Sequence, residues 1–250
     1  MHPVAAPALA YPLRMTEQIA AALFGSCCVL LVIGAIAIIW SSVRRSRTGS
    51  QKVEEQGWRR MPDGTEVTAG WDGWPFLDAI ESGRSMDIVL GEHRGVQLMT
   101  LRWRQREHDR HGGGAGEDSD TYNIVALRTE VSYPHLTVVR GRPIRPDQQR
   151  PGVSEFDTGD ERFDRRWQTL GDPDFGRAIL TPEVRAVIDE DKHAWVFQPG
   201  WITRVVPFTF YGGEDKAIDE VEKMVEPLRS VPAHVWEQYG GVPRFLQHGG

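Results

Sequence analysis

Cysteine is nearly absent from this sequence. Its 250 residues contain two cysteines, Cys27 and Cys28, which are neighbours in the chain. Two adjacent cysteines cannot build a disulfide-rich scaffold or supply the four ligands of a structural zinc site. Because no cysteine follows residue 28, cysteine catalysis is excluded from the rest of the chain, and a reducing compartment is favoured.

Charge is also missing from a long stretch near the N-terminus. Residues 19–43 contain no Asp, Glu, Lys or Arg, and residues 19–40 are almost entirely apolar. A helix over residues 19–40, rising about 1.5 Å per residue, spans the roughly 30 Å hydrocarbon core of a bilayer. We therefore predict a transmembrane helix at residues 19–40, preceded by a disordered N-terminus over residues 1–18.

A buried soluble helix and a cleaved signal peptide are the alternatives for this apolar run. An uncharged run of this length is atypical of a soluble helix. It is also longer than the core of about 7–15 residues in a signal peptide, and no A-x-A cleavage site follows it. Leu23 to Cys27 faintly resembles a lipoprotein cleavage site, but apolar residues follow where a polar tether is expected. An uncleaved anchor therefore fits best, with both cysteines as small apolar residues in lipid.

The flanking charges predict the orientation of this anchor. Three arginines follow the run within seven residues, whereas Arg14 alone precedes it and is offset by Glu17. The positive-inside rule then places the N-terminus outside and the C-terminal domain in the cytoplasm, as in a single-pass protein of the inner membrane. The residues predicted to lie at the membrane interface are Trp40, Arg44, Arg45 and Arg47.

The charge balance changes sign along the chain. Residues 44–60 carry six basic and two acidic side chains, whereas residues 61–250 carry a net charge of -10, within a total of -6. Nucleic-acid binding needs a positive contact surface, so no nucleic-acid partner is expected. We interpret residues 41–56 as a basic juxtamembrane linker with a short helix.

The hydrophobic periodicity after this linker predicts an α+β fold class. Residues 57–236 are expected to form a soluble domain with one antiparallel sheet and helices packed on one side, followed by a C-terminal tail over residues 237–250. Asp172-Pro173 and Thr181-Pro182 each combine a capping side chain with proline at the first helical position. Alternating apolar residues predict strands at 65–71, 85–90, 96–106, 121–131, 135–140, 194–197 and 202–210, with a hairpin connection at 91–95. Residues 214–226 are predicted to form a helix, because their apolar residues fall on one face more clearly than in any other soluble segment.

Several short motifs resemble those of one protein family. They are Gly57-Trp58, the hairpin sequence LGEHRG at 90–95, the strand YNIVAL at 122–127, ERFDRRW at 161–167 and LTPE at 180–183. Together with a single N-terminal span, this pattern is similar to that of an uncharacterised family of single-span actinobacterial membrane proteins with a cytoplasmic domain of unknown function. The resemblance implies a fold and an envelope location, and it implies no reaction.

An Asp-Thr-Gly sequence occurs at Asp157, as in aspartic proteases. Those enzymes need two such aspartates sharing a proton, and no second Asp-Thr-Gly or Asp-Ser-Gly occurs here. Asp157, Asp160, Glu161 and Asp164 are dense enough to suggest a cation site, but an acidic helix start explains them more simply. We interpret the segment as a turn before a helix.

Two histidines, His108 and His111, resemble a metal pair. Zinc hydrolases place their histidines four residues apart on a rigid helix, whereas these lie three apart and run into a glycine-rich loop at 112–116. A pliable loop orients ligands poorly, so no metal site is assigned. We assign no catalytic, cofactor-binding or metal-binding residue from the sequence.

Two surface features suggest a contact with a partner or with lipid. Arg102, Arg104 and Arg106 alternate along a predicted strand, so their side chains should share one face. That face is either a solvated surface or a basic stripe facing anionic lipid or an acidic partner. Trp71 and Trp74 flank a predicted turn and would be anchors for a partner if they are exposed, and core residues otherwise.

The sequence favours a protein-interaction or scaffold module at the inner membrane, with the bilayer and an envelope protein as partners. One alternative is a membrane-tethered hydrolase or nucleotide-handling enzyme, which predicts a polar pocket containing His108 or Asp157. The other alternative is a module that binds anionic lipid.

Overall fold

The computed structural model describes residues 57–63, 66–76, 83–106, 119–141, 144, 149, 152–206 and 214–247. All of them belong to one unit that extends over Gly49–Gly250. Within these described segments, no helix is both long and apolar enough to cross a bilayer. The predicted span at residues 19–40, the N-terminal segment and the juxtamembrane linker lie outside them.

The alternation of apolar and polar residues produces one antiparallel sheet. The described residues form nine strands in the order β1-β2-β3-β4-β9-β8-β5-β7-β6. The strands are β1 (Arg59–Arg60), β2 (Gly83–His93), β3 (Val96–Arg106), β4 (Ser119–Arg128), β5 (Leu136–Arg140), β6 (Ser154–Glu155), β7 (Trp167–Gly171), β8 (Ala194–Gln198) and β9 (Trp201–Val206). Since β9 pairs with both β4 and β8, the C-terminal strands join the N-terminal meander to β5 and β7.

The α-helices of the described chain pack on one face of this sheet. They are α1 (Glu161–Asp164), α2 (Pro173–Ile179), α3 (Pro182–Asp191), α4 (Glu214–Leu228), α5 (Ala233–Gln238) and α6 (Arg244–Gln247). Each of them contributes a buried side chain to the main core. The two predicted helix starts are confirmed: Asp172 accepts hydrogen bonds from two backbone N–H groups of α2, and Thr181 accepts one from Val184 in α3.

The two faces of the sheet bury different sets of residues. Leu98 of β3 points to the main core beneath the helices, whereas Leu101 and Trp103 point to a second core. This second core is covered by residues 66–76, which contribute Trp71 and Phe76. The predicted α+β class and the one-sided helix layer are therefore confirmed.

The predicted strand at residues 65–71 is wrong. This segment forms a 3₁₀ helix at Glu66–Thr68 followed by a turn, in which the Trp71 N–H donates to the Thr68 carbonyl at 2.9 Å. Gly70 adopts a φ of +85°, which breaks an extended course. The alternation of Val67 and Trp71 with polar residues suggested a strand, but the positive φ of Gly70 turns the chain instead.

The predicted tail at residues 237–250 is folded for much of its length. Phe245 of α6 is 3% exposed and belongs to the main core. Upstream of it, the Tyr133 hydroxyl donates to the Gly241 carbonyl at 2.6 Å. The domain therefore extends at least to Gln247, because one buried aromatic residue holds this short segment.

Candidate functional site

Arginines of the first three strands lie on the same face of the sheet. Arg84 of β2 stands opposite Arg104 of β3, and Arg102 lies two positions away on β3. Arg60 of β1 stands opposite Val89, which faces the same side. Arg60, Arg84 and Arg104 are exposed, and Arg102 is half-buried. We name these four residues the basic face.

Arg84 and Arg104 form a cross-strand pair of like charges. Like charges directly opposite each other destabilise a sheet. Arg84 has no ion-pair partner among the described residues. Arg104, in contrast, makes a further contact and is not without a partner.

A β-bulge places one carboxylate on the basic face. The β2–β3 register shifts between Met86 and Val89, and Asp87 adopts a φ of +52°. The Asp87 N–H donates to the Asp63 carboxylate at 3.0 Å, and the Asp87 carboxylate lies 2.7 Å from the Arg102 guanidinium. Bulges re-aim side chains in this way. Among the described residues, this face therefore carries four arginines and one aspartate.

The structure separates the predicted contact residues. Arg102 and Arg104 share a face opposite Trp103, as predicted, whereas the side chain of Arg106 lies outside the described residues. Trp71 is 3% exposed and packs against Phe76 with ring centroids 5.0 Å apart, so it is a core residue, which is one of the two alternatives that the sequence left open.

The other predicted contacts stay predictions. Trp74 is half-buried. Its ring packs edge to face against that of Tyr122, with ring centroids 5.5 Å apart. The predicted membrane-interface residues lie outside the described part of the chain. These are Trp40, Arg44, Arg45 and Arg47.

Sequence reasoning missed a buried cluster of charges centred on Arg204. This residue is 0% exposed, in the middle of β9. Its Nη2 lies 2.5 Å from Asp191 Oδ2 and 2.7 Å from His193 Nδ1, and its Nη1 lies 3.0 Å from Glu220 Oε2. The Lys223 ammonium lies 3.0 Å from the other oxygen of Glu220. We name these five residues the charge cluster.

The Arg204–Glu220 contact connects the sheet to α4. The Glu220 side chain is 4% exposed, and it occupies the apolar helix face between Ala217 and Met224. Its contact with Arg204 has ion-pair distance but not the angles of a hydrogen bond. An arginine at a core-facing position of an apolar strand, and a glutamate on the apolar face of a helix, were the available sequence signals.

His193 is held neutral within the charge cluster. Burial lowers the pKa of His193, and the positive charge of Arg204 lowers it further, against the opposing carboxylates of Glu220 and Asp191. Because the Arg204 guanidinium can only donate, His193 Nδ1 must accept, which places the imidazole proton on Nε2. The cluster joins α3, α4 and β9 through complementary charges.

A second polar group has the order of residues found in a hydrolase triad. Thr137 Oγ1 lies 2.9 Å from His135 Nε2, and His135 Nδ1 lies 3.8 Å from Asp72 Oδ1. A nucleophile must reach a substrate carbonyl, yet Thr137 is 1% exposed. The Asp72 backbone is in turn held by Gln198, whose amide donates to its carbonyl at 2.8 Å. The group therefore fixes the loop of Asp72 against the sheet.

The acidic segment around Asp157 caps a helix, as predicted. Asp160 accepts hydrogen bonds from the N–H groups of Phe163 and Arg162, and these bonds hold the pKa of Asp160 below its usual value. The Thr158 hydroxyl donates to Asp164 at 2.7 Å. No group of three His, Cys, Asp or Glu side chains in the described segments could hold a metal ion. His108 and His111 lie outside those segments.

A cleft of about 230 Å³ lies where the β2–β3 turn, the end of β4 and α6 meet. Its charged lining includes Glu92, Glu130, Arg128 and Arg244. Arg244 lies 3.3 Å from Glu130, and the Arg128 guanidinium lies 4.9 Å from the centre of the Trp201 ring. Acidic and basic groups balance, so this cleft offers no net charge to an ionic ligand.

The fold resembles that of a known bacterial protein. No family model matches the chain, and no curated protein matches it. The solved structure of the mycobacterial trehalose monomycolate transport factor A superposes with a TM-score of 0.51 and 12% sequence identity, covering 75% of this chain and 96% of that one. At this identity the likeness shows the fold alone. The chain therefore shares its fold with an actinobacterial transport factor.

Proposed function

We propose that this protein is a membrane-tethered accessory factor in the transport of envelope lipids, acting by binding a transport protein rather than by catalysis. The observation that carries the proposal is the fold shared with a trehalose monomycolate transport factor over 96% of that factor's chain. Folds host many functions, so the proposal extends from the fold to the function by analogy.

The sequence supports a tether at the inner membrane. The uncharged run at residues 19–40 is long enough to span a bilayer, and the arginines after it favour a cytoplasmic domain. Sixteen residues, 41–56, then separate Trp40 from the first described residue, Gly57. The domain would therefore stay close to any partner in the same membrane.

The structure favours an interaction function over the hydrolase alternative. Asp157, which the hydrolase alternative would place in a polar pocket, is exposed in the turn that precedes α1, and the polar groups around it cap that helix. The basic face, in contrast, carries three exposed arginines, Arg60, Arg84 and Arg104. Exposed clusters of this kind suit binding to an anionic partner.

A module that binds anionic lipid is the second candidate function. The basic face favours it, since arginines beside a membrane are attracted to anionic headgroups. The two functions are compatible, because a tethered accessory factor can contact lipid and protein with different surfaces.

The proposal is tested by deleting the protein from its host and measuring the delivery of envelope glycolipids to the cell surface. Delivery should fall, and the full chain should restore it. A chain carrying Leu31→Asp and Ile36→Asp should not restore it, since charges at the centre of a span oppose insertion. A matched variant with Leu31→Val and Ile36→Val keeps the span apolar and should restore delivery. Unchanged delivery in the deletion strain would contradict the proposal.

A further inference from the structure

We infer that the cleft between the β2–β3 turn, the end of β4 and α6 binds a small zwitterion of the size of an α-amino acid. Arg128 holds the carboxylate of this ligand, and Glu92 holds its ammonium group. The inference goes beyond the proposed function, and it does not depend on the membrane tether.

The first support is the size and the lining of the cleft. Its volume of about 230 Å³ has room for about eight water molecules at about 30 Å³ each. This is smaller than most sites for drug-sized ligands. Phe245 of α6 is buried and Val96 of β3 is half-buried, so part of the cleft wall is apolar. The cleft therefore suits a compact ligand that has an aliphatic part.

The second support is that two opposite charges of the cleft lack a counter-charge. Arg244 lies 3.3 Å from Glu130, so these two side chains balance each other. Within the described part of the chain, neither the Arg128 nor the Glu92 side chain has a hydrogen bond or an ion pair. A zwitterion supplies both missing charges at once. A simple anion would be repelled by the two carboxylates, and a simple cation by the two guanidinium groups.

The third support is that the fold orients Arg128 before a ligand binds. Its guanidinium lies 4.9 Å from the centre of the Trp201 ring, which is within cation–π distance. A Cβ added at Gly200 would lie 3.6 Å from Arg128 Nη1, so the side chain also lies along this turn. A planar guanidinium suits a carboxylate, because it can donate two parallel hydrogen bonds to the two oxygens. A group that is already ordered loses less entropy on binding.

Glu130 is also held in place at this cleft. Its backbone is left-handed, with a φ of +61°, which is uncommon for a residue other than glycine. Hydrogen bonds on either side maintain this conformation. The Thr129 N–H donates to the Gly200 carbonyl at 3.0 Å, and the Thr129 hydroxyl donates to the Val131 carbonyl at 2.6 Å. Left-handed residues of this kind are common at ligand sites, and here the conformation brings the Glu130 carboxylate to Arg244.

The test uses the full chain in detergent micelles, with L-valine as the probe. Saturation-transfer NMR at rising ligand concentrations gives the dissociation constant. Isobutylamine is L-valine without its carboxylate, and isovalerate is L-valine without its ammonium group. Each of these two analogues should bind at least about tenfold more weakly than L-valine, because each leaves one charge of the cleft without a partner.

Two substitutions remove the two charges separately. Arg128→Gln should weaken L-valine binding at least about tenfold and leave isobutylamine binding unchanged. Glu92→Gln, at an exposed position that the fold should tolerate, should weaken L-valine binding by a similar factor and leave isovalerate binding unchanged. Arg140→Gln on β5 and Glu237→Gln on α5 make the same changes at exposed positions outside the cleft, and should leave binding unchanged. The unfolding midpoint without ligand checks that each variant is folded.

The absence of saturable L-valine binding would overturn the inference. Equal affinity for L-valine and isovalerate would overturn it too, since the cleft would then recognise a carboxylate alone. If the folded Arg128→Gln and Glu92→Gln variants bind L-valine as tightly as the natural chain, the ligand binds elsewhere and the assignment of this cleft is wrong. These outcomes leave the proposed function untouched, because none of them depends on the tether.

Discussion

The Arg204 guanidinium in β9 lies 3.0 Å from the Glu220 carboxylate in α4, and both side chains are buried in the domain. The pair joins α4, the longest described α-helix, to β9, the central strand of the sheet, which lies directly beside β4. Removing two charges from water offsets most of their attraction. We therefore expect this pair to fix the position of α4 more than to add net stability.

The first prediction concerns the loss of one partner. Arg204→Met should lower the free energy of unfolding by about 3–5 kcal/mol, because it leaves Glu220 buried without its main countercharge. Urea denaturation of the full chain in detergent micelles measures this. Lys223→Met should cost far less, since the Lys223 side chain is half exposed.

A double variant tests whether the Arg204–Glu220 pair mainly positions α4 or also adds net stability to the fold. Arg204→Met with Glu220→Met replaces both charges by apolar groups and should recover most of the lost stability. If the double variant is as unstable as the sum of the two single variants, the buried pair is itself a net source of stability, and our interpretation is wrong.

The second prediction is a loss of stability in mild acid that depends on His193. Its pKa in the folded protein lies below the ordinary value of 6.5, so the unfolded chain binds a proton more readily. The contribution of neutral His193 is fully present above pH 6.5 and is lost as pH falls through the lowered pKa. Arg204, Glu220, Asp191 and Lys223 are the charged groups around it.

The measurement compares unfolding midpoints at pH 7.5 and 5.5. His193→Gln keeps an acceptor for Arg204 but cannot titrate, so its loss of stability over this interval should be smaller than that of the natural chain. His234→Gln, at an exposed position on α5, is the matched control. Identical pH dependence in the natural chain and His193→Gln would refute the assignment of a neutral imidazole.

The third prediction is that one charge reversal on the basic face stabilises the fold. Arg84→Glu places an acid opposite Arg104, and an opposite-charge pair across strands contributes about 0.2–1 kcal/mol. The free energy of unfolding should rise, as measured by urea denaturation. Arg162→Glu on α1 should leave it unchanged. A decrease in stability on Arg84→Glu would show that the arginine pair is favourable for folding.

The fourth prediction concerns the start of the domain. Trp58 packs over Gly91, where an added Cβ would lie 2.2 Å from the indole ring. Gly91→Ala should therefore destabilise the fold by about 1–3 kcal/mol through overpacking. Trp58→Leu in the same chain makes room for the methyl group, so the double variant should lose less than the two single losses combined. Strict additivity of the two losses would contradict the packing argument.

Local sequence signals predicted the elements that depend on near neighbours. Strand β3 has the predicted bounds because apolar residues recur along it, with Leu98 on one face and Met99, Leu101 and Trp103 on the other. The predicted hairpin connection shortens to Arg94 and Gly95, both at positive φ, as a tight two-residue turn requires. The caps at Asp172 and Thr181 could also be predicted, because each cap side chain binds backbone N–H groups no more than three residues away.

Features that depend on distant residues were beyond sequence reasoning. Placing β9 between β4 and β8 brings together strands far apart in the chain, and no local pattern encodes that order. Arg204 and Glu220 each break the apolar pattern of their own element, but only the fold shows that they meet. For the basic face, the alternation of Arg102 and Arg104 was visible, whereas Arg84 joined it only through the β2–β3 register.

Crosslinking of the full-length protein in living host cells, followed by identification of the captured membrane proteins, tests the proposed function most directly. We expect the natural chain to capture an inner-membrane lipid transporter, and we expect Leu31→Asp with Ile36→Asp to lose that capture. The Leu31→Val and Ile36→Val variant should retain it. Equal capture by the natural chain and the variant with two aspartates, or capture of no transport protein at all, would contradict a membrane-tethered role in envelope lipid transport.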